Sequence, residues 1–364
     1  MLDGFGLDYA AAQALPTLDG IRARGGGGTA MAMMPSVTNT NNVSIACGAP
    51  PSEHGITGNF WFDPASGVAD YLEDQAFVLA RTVFERARDR GVRSALLTSK
   101  EKTVRLLGRG ADVAIAAERP EPAAVERYGP PPGIYSAEIN HWLWTLAVDL
   151  LRRRTDIELI YVHTTDFPMH AWAPDDERSR AHLRGLDALI GEALAAAPDA
   201  RFLATADHAM NAKRRCWDLA RACAERDAPV RLAISPEKDR YVRHHRTFGG
   251  TAYVWLRAPA DADRVATTIA GLEGVEAVME RGRAAEGLLL HPGRIGDLVV
   301  LGDADTVFGD LEDGADERLP ETYRSHGSLH ELDVPTYVVD PDGRAAPQGD
   351  GARNFDVTRP LYRD

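Results

Sequence analysis

The sequence predicts an α/β protein: a mainly parallel β-sheet flanked by helices, with a smaller α+β subdomain inserted late in the chain. Three observations predict it. Through the first two thirds, apolar spacing alternates between the helical period and short strand-like runs, which is the pattern of a sheet covered by helices on both faces. Aspartates and histidines fall directly after those strand-like runs, where ligands gather in such sheets. After about Ala228 the alternation gives way to closely spaced strands.

In chain order, Phe77, Ala80, Val83, Phe84 and Ala87 recur at helical spacing and Gly91 stops them. Val92 to Thr98 follows as a short buried strand. Ser136 opens a second helix through Trp142, Leu143, Leu146, Ala147 and Leu150, and Ile157 to His163 is the next strand. A third helix fills Asp176 to Ala196, with Leu183, Leu186, Leu189 and Ile190 on one face, and Arg201 to Thr205 is the strand after it. Beyond Ala228, Thr251 to Leu256, Val275 to Glu280 and Gly296 to Gly302 read as strands around a helix from Ala262 to Leu272. Val334 to Val339 returns to the main sheet. The glycines at 25–28 and the prolines at 130–132 read as loop punctuation. The expected organisation is a metal-binding α/β core over 1–228, a small α+β cap subdomain over 229–318, and a return to the core over 319–364.

Composition narrows the class. The 364 residues carry 41 Lys+Arg against 54 Asp+Glu, a net charge of −13, which argues against a nucleic-acid-coating protein. No apolar run reaches the ~18 residues of a membrane span, and the first ten residues lack the pattern of a signal peptide, so neither nucleic acid nor membrane is an expected partner. Three cysteines at no metal spacing read as a reduced, cytoplasmic complement.

The chemistry lies in clusters at the predicted strand ends. Asp3 sits in Asp-Gly-Phe-Gly. Asp166 and His170 form D-x-x-x-H after one strand, and Asp207 and His208 form an adjacent pair after the next. His326 precedes the last strand. Carboxylate oxygen and imidazole nitrogen are natural zinc ligands, and mixed sites keep a position open for substrate. A single Asp-His pair is usually a turn or a cap. Four clusters on one sheet point to a metal centre. The remaining motif is Pro35-Ser36-Val37-Thr38-Asn39-Thr40-Asn41-Asn42, a Thr/Asn group ahead of an apolar stretch.

The order Asp-Gly, T-x-x-N, D-x-x-x-H, D-H, H-G resembles the alkaline phosphatase superfamily in its nucleotide pyrophosphatase/phosphodiesterase-like branch. Within it the chain is similar to the phosphonoacetate hydrolase group, through Lys100-x-Lys102, Asn59 in GITGNF and the stretch Tyr135-Ser136-Ala137-Glu138. The resemblance implies an alkaline-phosphatase-like core and two Zn2+ per chain, one held by Asp166, His170 and His326, the other by Asp3, Asp207 and His208 with Thr38 at the metal. It implies Thr38 as nucleophile, Asn41 as donor to the phosphoryl oxygen, and Asn59, Lys100 and Lys102 as substrate-binding residues. The implied reaction cleaves the C–P bond of phosphonoacetate to acetate and phosphate through a phosphothreonine. The carbon leaves as an enolate, whose oxygens need nearby cations.

Two rivals accompany this reading. One is a phosphodiesterase, nucleotide pyrophosphatase or phosphomonoesterase on the same core, with Trp61, Phe62 and Trp172 available to form an aromatic slot. The other is a metal-poor binding protein. The expected partner is a small phosphonate or phosphate ester, and the expected state a monomer or homodimer. His54 is expected to support the Thr38 segment, His244 and His245 to line the pocket, Lys213 to lie beside the site or on the surface, and Cys47 to be a small core residue. Arg246-Thr247-Phe248 departs from the small residues expected there. Only Met1 and Leu2 precede Asp3, whereas a ligand at a strand end needs about five residues before it. The expectation is that the true start lies upstream or that this strand is missing, leaving the Asp3 site the weaker one.

Overall fold

The computed structural model describes residues 1–242, 245–343 and 351–361. The strands Val113–Ala116, Ser94–Thr98 and Leu159–His163 form a three-stranded parallel sheet in that order. Gly27–Met31, Asp333–Val339 and Phe202–Thr205 form a second three-stranded sheet, antiparallel throughout. Between them runs the start of the chain. The Met1 amino group donates to the Val162 carbonyl at 2.7 Å, and the Leu2 N–H to the Thr205 carbonyl at 2.9 Å. The protein therefore has several small sheets where one mainly parallel sheet was expected. Residues 1–3 bond to a strand on each side but are too short to form a ladder. They are nonetheless held: Asp3 is fully buried and its N–H donates to Thr164 Oγ1 at 2.8 Å.

The helices Glu138–Arg153 and Glu177–Ala196 pack on each other over this core. Leu143, Leu146, Leu186 and Ile190 point inward at the predicted spacing and meet Leu97, Val162 and Tyr337 from the strands. Asp176 accepts from the Arg178 N–H and caps the second helix. The helix predicted from Phe77 is shorter, Val83–Asp89. Thr82 and Glu85 form a reciprocal capping box that starts it later, leaving Phe77 in a separate 3-10 turn, Gln75–Phe77, and Ala80 in the loop between. The glycines read as punctuation at 25–28 partly enter a strand, because Gly27 and Gly28 pair with Tyr337 and Thr336.

Residues 232–302 form a four-stranded antiparallel sheet in the order Leu232–Ile234, Thr251–Trp255, Leu298–Gly302, Val275–Glu280. Its central strands are buried on both faces, with period-two alternation. Ala252, Val254, Leu298 and Val300 meet Val265 and Ile269 of the helix Ala262–Ala270. Tyr253, Trp255, Val299 and Leu301 meet Met34 and Phe62 on the other face. The first cluster also draws in Trp217, Leu219 and Cys223, so the apolar packing begins before residue 229. Among the described residues no helix is long and apolar enough to cross a membrane.

Candidate metal centre

Asp166 ends the loop after the Leu159–His163 strand and begins the helix Phe167–Ala171, which places His170 four residues on and on the same face. His326 reaches the same point from the far side of the chain. Asp166 Oδ2 lies 2.9 Å from His170 Nε2 and 3.7 Å from His326 Nε2. The second cluster gathers Asp3 and the pair after the Phe202–Thr205 strand. His208 Nε2 lies 3.6 Å from Asp3 Oδ1 and 3.4 Å from Asp207 Oδ2. Within each trio the ligand atoms lie within 4.8 Å of one another, and all six residues are buried. The His208 and His326 rings stack at 3.7 Å, which sets the two clusters side by side. Thr38 opens the helix Thr38–Cys47, with its hydroxyl donating to Asp3 Oδ1 at 3.4 Å and lying 3.3 Å from His208 Nε2.

The histidines are prepared as ligands. The Nδ1 atoms of His170, His208 and His326 sit 2.8, 2.9 and 2.8 Å from the carbonyl oxygens of Arg324, Ala209 and Ser36. A carbonyl can only accept, so each Nδ1 carries the hydrogen and each Nε2 turns its lone pair into a cluster. Among the described residues, His326 Nε2, Asp3 Oδ2 and Asp207 Oδ2 are buried without a hydrogen-bond partner. Buried polar atoms rarely stay so. Two carboxylates and an imidazole, or one carboxylate and two imidazoles, are donor sets that suit a divalent cation such as zinc.

The electrostatics of the clusters differ. Burial and the neighbouring Asp166 and Asp207 push Asp3 up to about 7. Burial, with Asp166 adding to it, pushes Asp207 up to about 6. Burial acts on Asp166 too, but His170, Lys100 and His326 outweigh it and hold the carboxyl well below its usual range. Burial lowers His208, and burial with His208 and His170 nearby lowers His326 far below its ordinary value, so both are neutral ligands.

Residues 1–329 match the type I phosphodiesterase/nucleotide pyrophosphatase family. The chain belongs to that family. Phosphonoacetate hydrolase from Sinorhizobium meliloti 1021, solved with phosphonoformate, is 31% identical over 99% of this chain and 93% of that one, with a TM-score of 0.86. The same enzyme solved with phosphonoacetate gives 32% and 0.87 over the same shares. Human ectonucleotide pyrophosphatase/phosphodiesterase 5, 16% identical with a TM-score of 0.70 over 99% of this chain and 93% of its own, shares the fold alone. The chain is thus an enzyme of the nucleotide pyrophosphatase and phosphonoacetate hydrolase type, and its chemistry is hydrolysis of a phosphonate or phosphoester.

Against that family frame, the remaining residues fall into place unevenly. Asn41 is not free to donate to a phosphoryl oxygen. Its amide nitrogen donates to the Met33, Pro35 and Val37 carbonyls at 2.9, 3.3 and 3.3 Å, and its oxygen accepts from Met33 N–H and Asn354. It instead pins the loop that carries Thr38. Asn59 uses one N–H on the Glu237 carbonyl at 3.2 Å and has a second to offer. Lys100 and Lys102 are both buried and stand apart in role. The Lys102 ammonium pairs with the buried Asp239 carboxylate. For Lys100, burial lowers the ammonium, but the carboxylates of Asp166, Asp3, Asp239 and Glu237 raise it more, so it stays charged.

His54 is buried, with Nε2 2.8 Å from Ser44 Oγ on the Thr38 helix, which is the supporting place expected of it. The His245 ring stacks on His170 at 3.7 Å, whereas His244 lies outside the described residues. Arg246 turns away to Glu317 and Phe248 is buried beside Tyr323. Lys213 is fully buried, and Cys47 is a small core residue. The aromatics of the nucleotide-slot rival are dispersed: Trp61 packs on Phe77, Phe62 on Trp255, and Trp172 lies under Arg178.

Three residues escaped the sequence reading. His163 Nε2 is 3.5 Å from Asp3 Oδ2, with Nδ1 2.9 Å from Thr98 Oγ1. It was read as the last residue of a strand, and its place three residues before Asp166 was the available signal. Glu237 Oε1 is 4.0 Å from His326 Nε2, and burial with Asp166 pushes its carboxyl well above the usual range. Glu237 and Asp239 sit in Ser-Pro-Glu-Lys-Asp, which has no motif to announce it.

Proposed function

We propose that this protein is a zinc-dependent hydrolase that splits phosphonoacetate into acetate and phosphate through a phosphothreonine at Thr38. The observation that carries the reading is the Thr38 hydroxyl standing at the edge of two adjoining three-ligand clusters. Asp166, His170 and His326 would hold one zinc, and Asp3, Asp207 and His208 the other. When bound, the pair supplies a lowered hydroxyl pKa at Thr38 and positive charge for the phosphoryl oxygens.

Thr38 Oγ1 attacks phosphorus as the P–C bond breaks, and its position at the first turn of a helix points backbone N–H groups toward the same charge. The Thr38 hydroxyl proton leaves to water as the O–P bond forms, and the P–C electron pair passes to the acetate enolate, whose carbon takes a proton back from water. A second water splits the phosphothreonine, giving phosphate and returning a proton to Thr38 Oγ1. Lys100, held charged by carboxylates of both clusters, would meet the charge that develops on the enolate. Asn59 offers its spare N–H to the phosphonate, and Lys102 acts at one remove through its hold on Asp239. The S. meliloti complexes with phosphonoacetate and phosphonoformate support this substrate class. We further propose that residues 229–318 cap a core made of 1–228 and 319–364.

The second reading, a phosphodiesterase on the same clusters, is favoured by the family match itself. Phosphate release from phosphonoacetate, measured beside cleavage of bis-p-nitrophenyl phosphate by the zinc-loaded protein, separates the two. Faster turnover of phosphonoacetate is expected. Cleavage of the diester alone would replace the first reading with the second.

A further inference from the structure

The supports of both clusters converge on one buried residue, Glu331. Glu331 Oε1 accepts from Lys213 Nζ at 2.7 Å and from Asn211 Nδ2 at 2.7 Å. Its Oε2 accepts from the Ser328 N–H at 2.9 Å and the Ser328 hydroxyl at 2.7 Å. Lys213 Nζ also donates to the Ala304 carbonyl at 3.0 Å. Lys213, Glu331, Ser328 and Ser36 have no exposed surface.

From this hub, hydrogen bonds run to each part of the site. The Glu331 carbonyl accepts from Ala209 N–H at 2.9 Å, and the Ala209 carbonyl is the one that fixes His208 Nδ1. The Ser328 carbonyl accepts from Ser36 Oγ at 2.8 Å, and Ser36 Oγ accepts from Gly327 N–H at 3.1 Å. The Ser36 carbonyl fixes His326 Nδ1, and Ser36 precedes Thr38 by two residues. Glu331 thus joins a histidine of each cluster to the segment carrying the nucleophile, through its main-chain carbonyl toward His208 and through its carboxylate's hold on Ser328 toward Ser36 and His326.

A buried ion pair is weak support for stability, because desolvation offsets much of its attraction. It is better suited to fixing geometry when its carboxylate oxygens are both held, as Glu331 Oε1 is by Lys213 and Asn211 and Oε2 by Ser328. We infer that the Lys213–Glu331 pair is a positioning device that sets both metal sites and Thr38 in register with one another. The inference rests on the metal-binding reading proposed above.

The test is Glu331→Gln in the full chain. Glutamine removes the charge and puts an amide where Ser328 or Asn211 needs an acceptor. Zinc affinity at both sites is read by chelator competition, with kcat, KM and the unfolding midpoint measured alongside. Outer partners of metal ligands are typically worth about 10–100-fold in affinity. Both zinc ions should loosen together by that factor. At saturating zinc, kcat should fall about tenfold or more while KM moves by no more than about threefold.

The control is Asp187→Asn, another buried carboxylate, which accepts from Thr17 and Leu18 N–H away from both clusters. It should lower the unfolding midpoint and leave zinc affinity unchanged. Ser328→Ala removes one arm of the hub without stranding a charge, so it decides the matter if Glu331→Gln does not fold, and it too should loosen both ions. Wild-type zinc affinity in these variants, loss of one ion only, or equal loosening in Asp187→Asn would overturn the inference. A wild-type protein that binds no zinc would instead refute the metal reading beneath it.

Discussion

The two ligand clusters use the same side-chain types but are assembled differently. In the first, Asp166 and His170 come from one short helix and only His326 is remote, so local geometry fixes most of the site. In the second, Asp3 comes from the chain start and Asp207 and His208 from a strand end 200 residues on. The first balances one carboxylate against two imidazoles and a lysine, and Asp166 is comfortable as an anion. The second sets two buried carboxylates against one imidazole, and both are pushed toward the protonated form. The first cluster is thus nearly self-compensated, whereas burial above all holds the two carboxylates of the second toward the neutral form.

The largest effect would come where the clusters meet. Thr38→Ala should lower turnover on the order of a thousandfold or more while both zinc ions stay bound, because the ligands remain and the nucleophile is gone. Metal analysis beside a turnover assay checks it, and activity within tenfold of wild type would remove Thr38 from that role.

Lys100 is held charged by carboxylates of both clusters, and Lys102 is already paired. Lys100→Ala should cost phosphonoacetate turnover about 30- to 1,000-fold in kcat/KM, for a lost contact of about 2–4 kcal/mol. It should cost an aryl phosphate much less, since aryl oxide leaves unaided. Lys102→Ala should fall between Lys100→Ala and wild type. Equal losses for the two lysines would mean that the pair with Asp239 opens on substrate binding.

Zinc affinity sharpens the contrast further. Filling the second site near pH 5.5 must expel protons from Asp3 and Asp207, which ionise at about 7 and about 6, whereas Asp166 is already ionised. Lowering pH from about 8 to 5.5 should therefore loosen the second zinc more than the first. Calorimetric titrations at the two pH values, on the wild type and on Asp3→Asn, would show it; parallel weakening of both ions would erase the distinction.

The smallest effect concerns the metal-free chain. Because folding raises Asp3 and Asp207 above their ordinary 3.8, the folded state holds protons that the unfolded chain releases as pH rises. Metal-free stability should then fall between about pH 4 and pH 7, and zinc should restore it most at the upper end. Urea midpoints across that range, with and without zinc, give the sign; a rise in metal-free stability through the window would contradict it.

Much of this was legible in the sequence. The strand-end pattern of Asp166, His170, Asp207, His208 and His326 reports the site because backbone topology alone carries those residues to one place. Asn41 was misread because a T-x-x-N spacing does not say which way an amide points; here five hydrogen bonds turn it into the loop. The hold on Asp3 was not legible, because residues 1–3 borrow hydrogen bonds from both neighbouring strands, a tertiary effect no local pattern reports. Glu237, Asp239 and Glu331 were invisible for the same reason: their partners lie far away in the chain.

In the proposed mechanism Thr38 takes the phosphoryl group. The most direct measurement is the stereochemistry at phosphorus for a chiral thio-substituted substrate turned over in isotopically labelled water. Two successive in-line displacements, first by Thr38 and then by water, predict net retention. Net inversion would mean that water attacks phosphorus directly, and the nucleophile assigned here would be wrong.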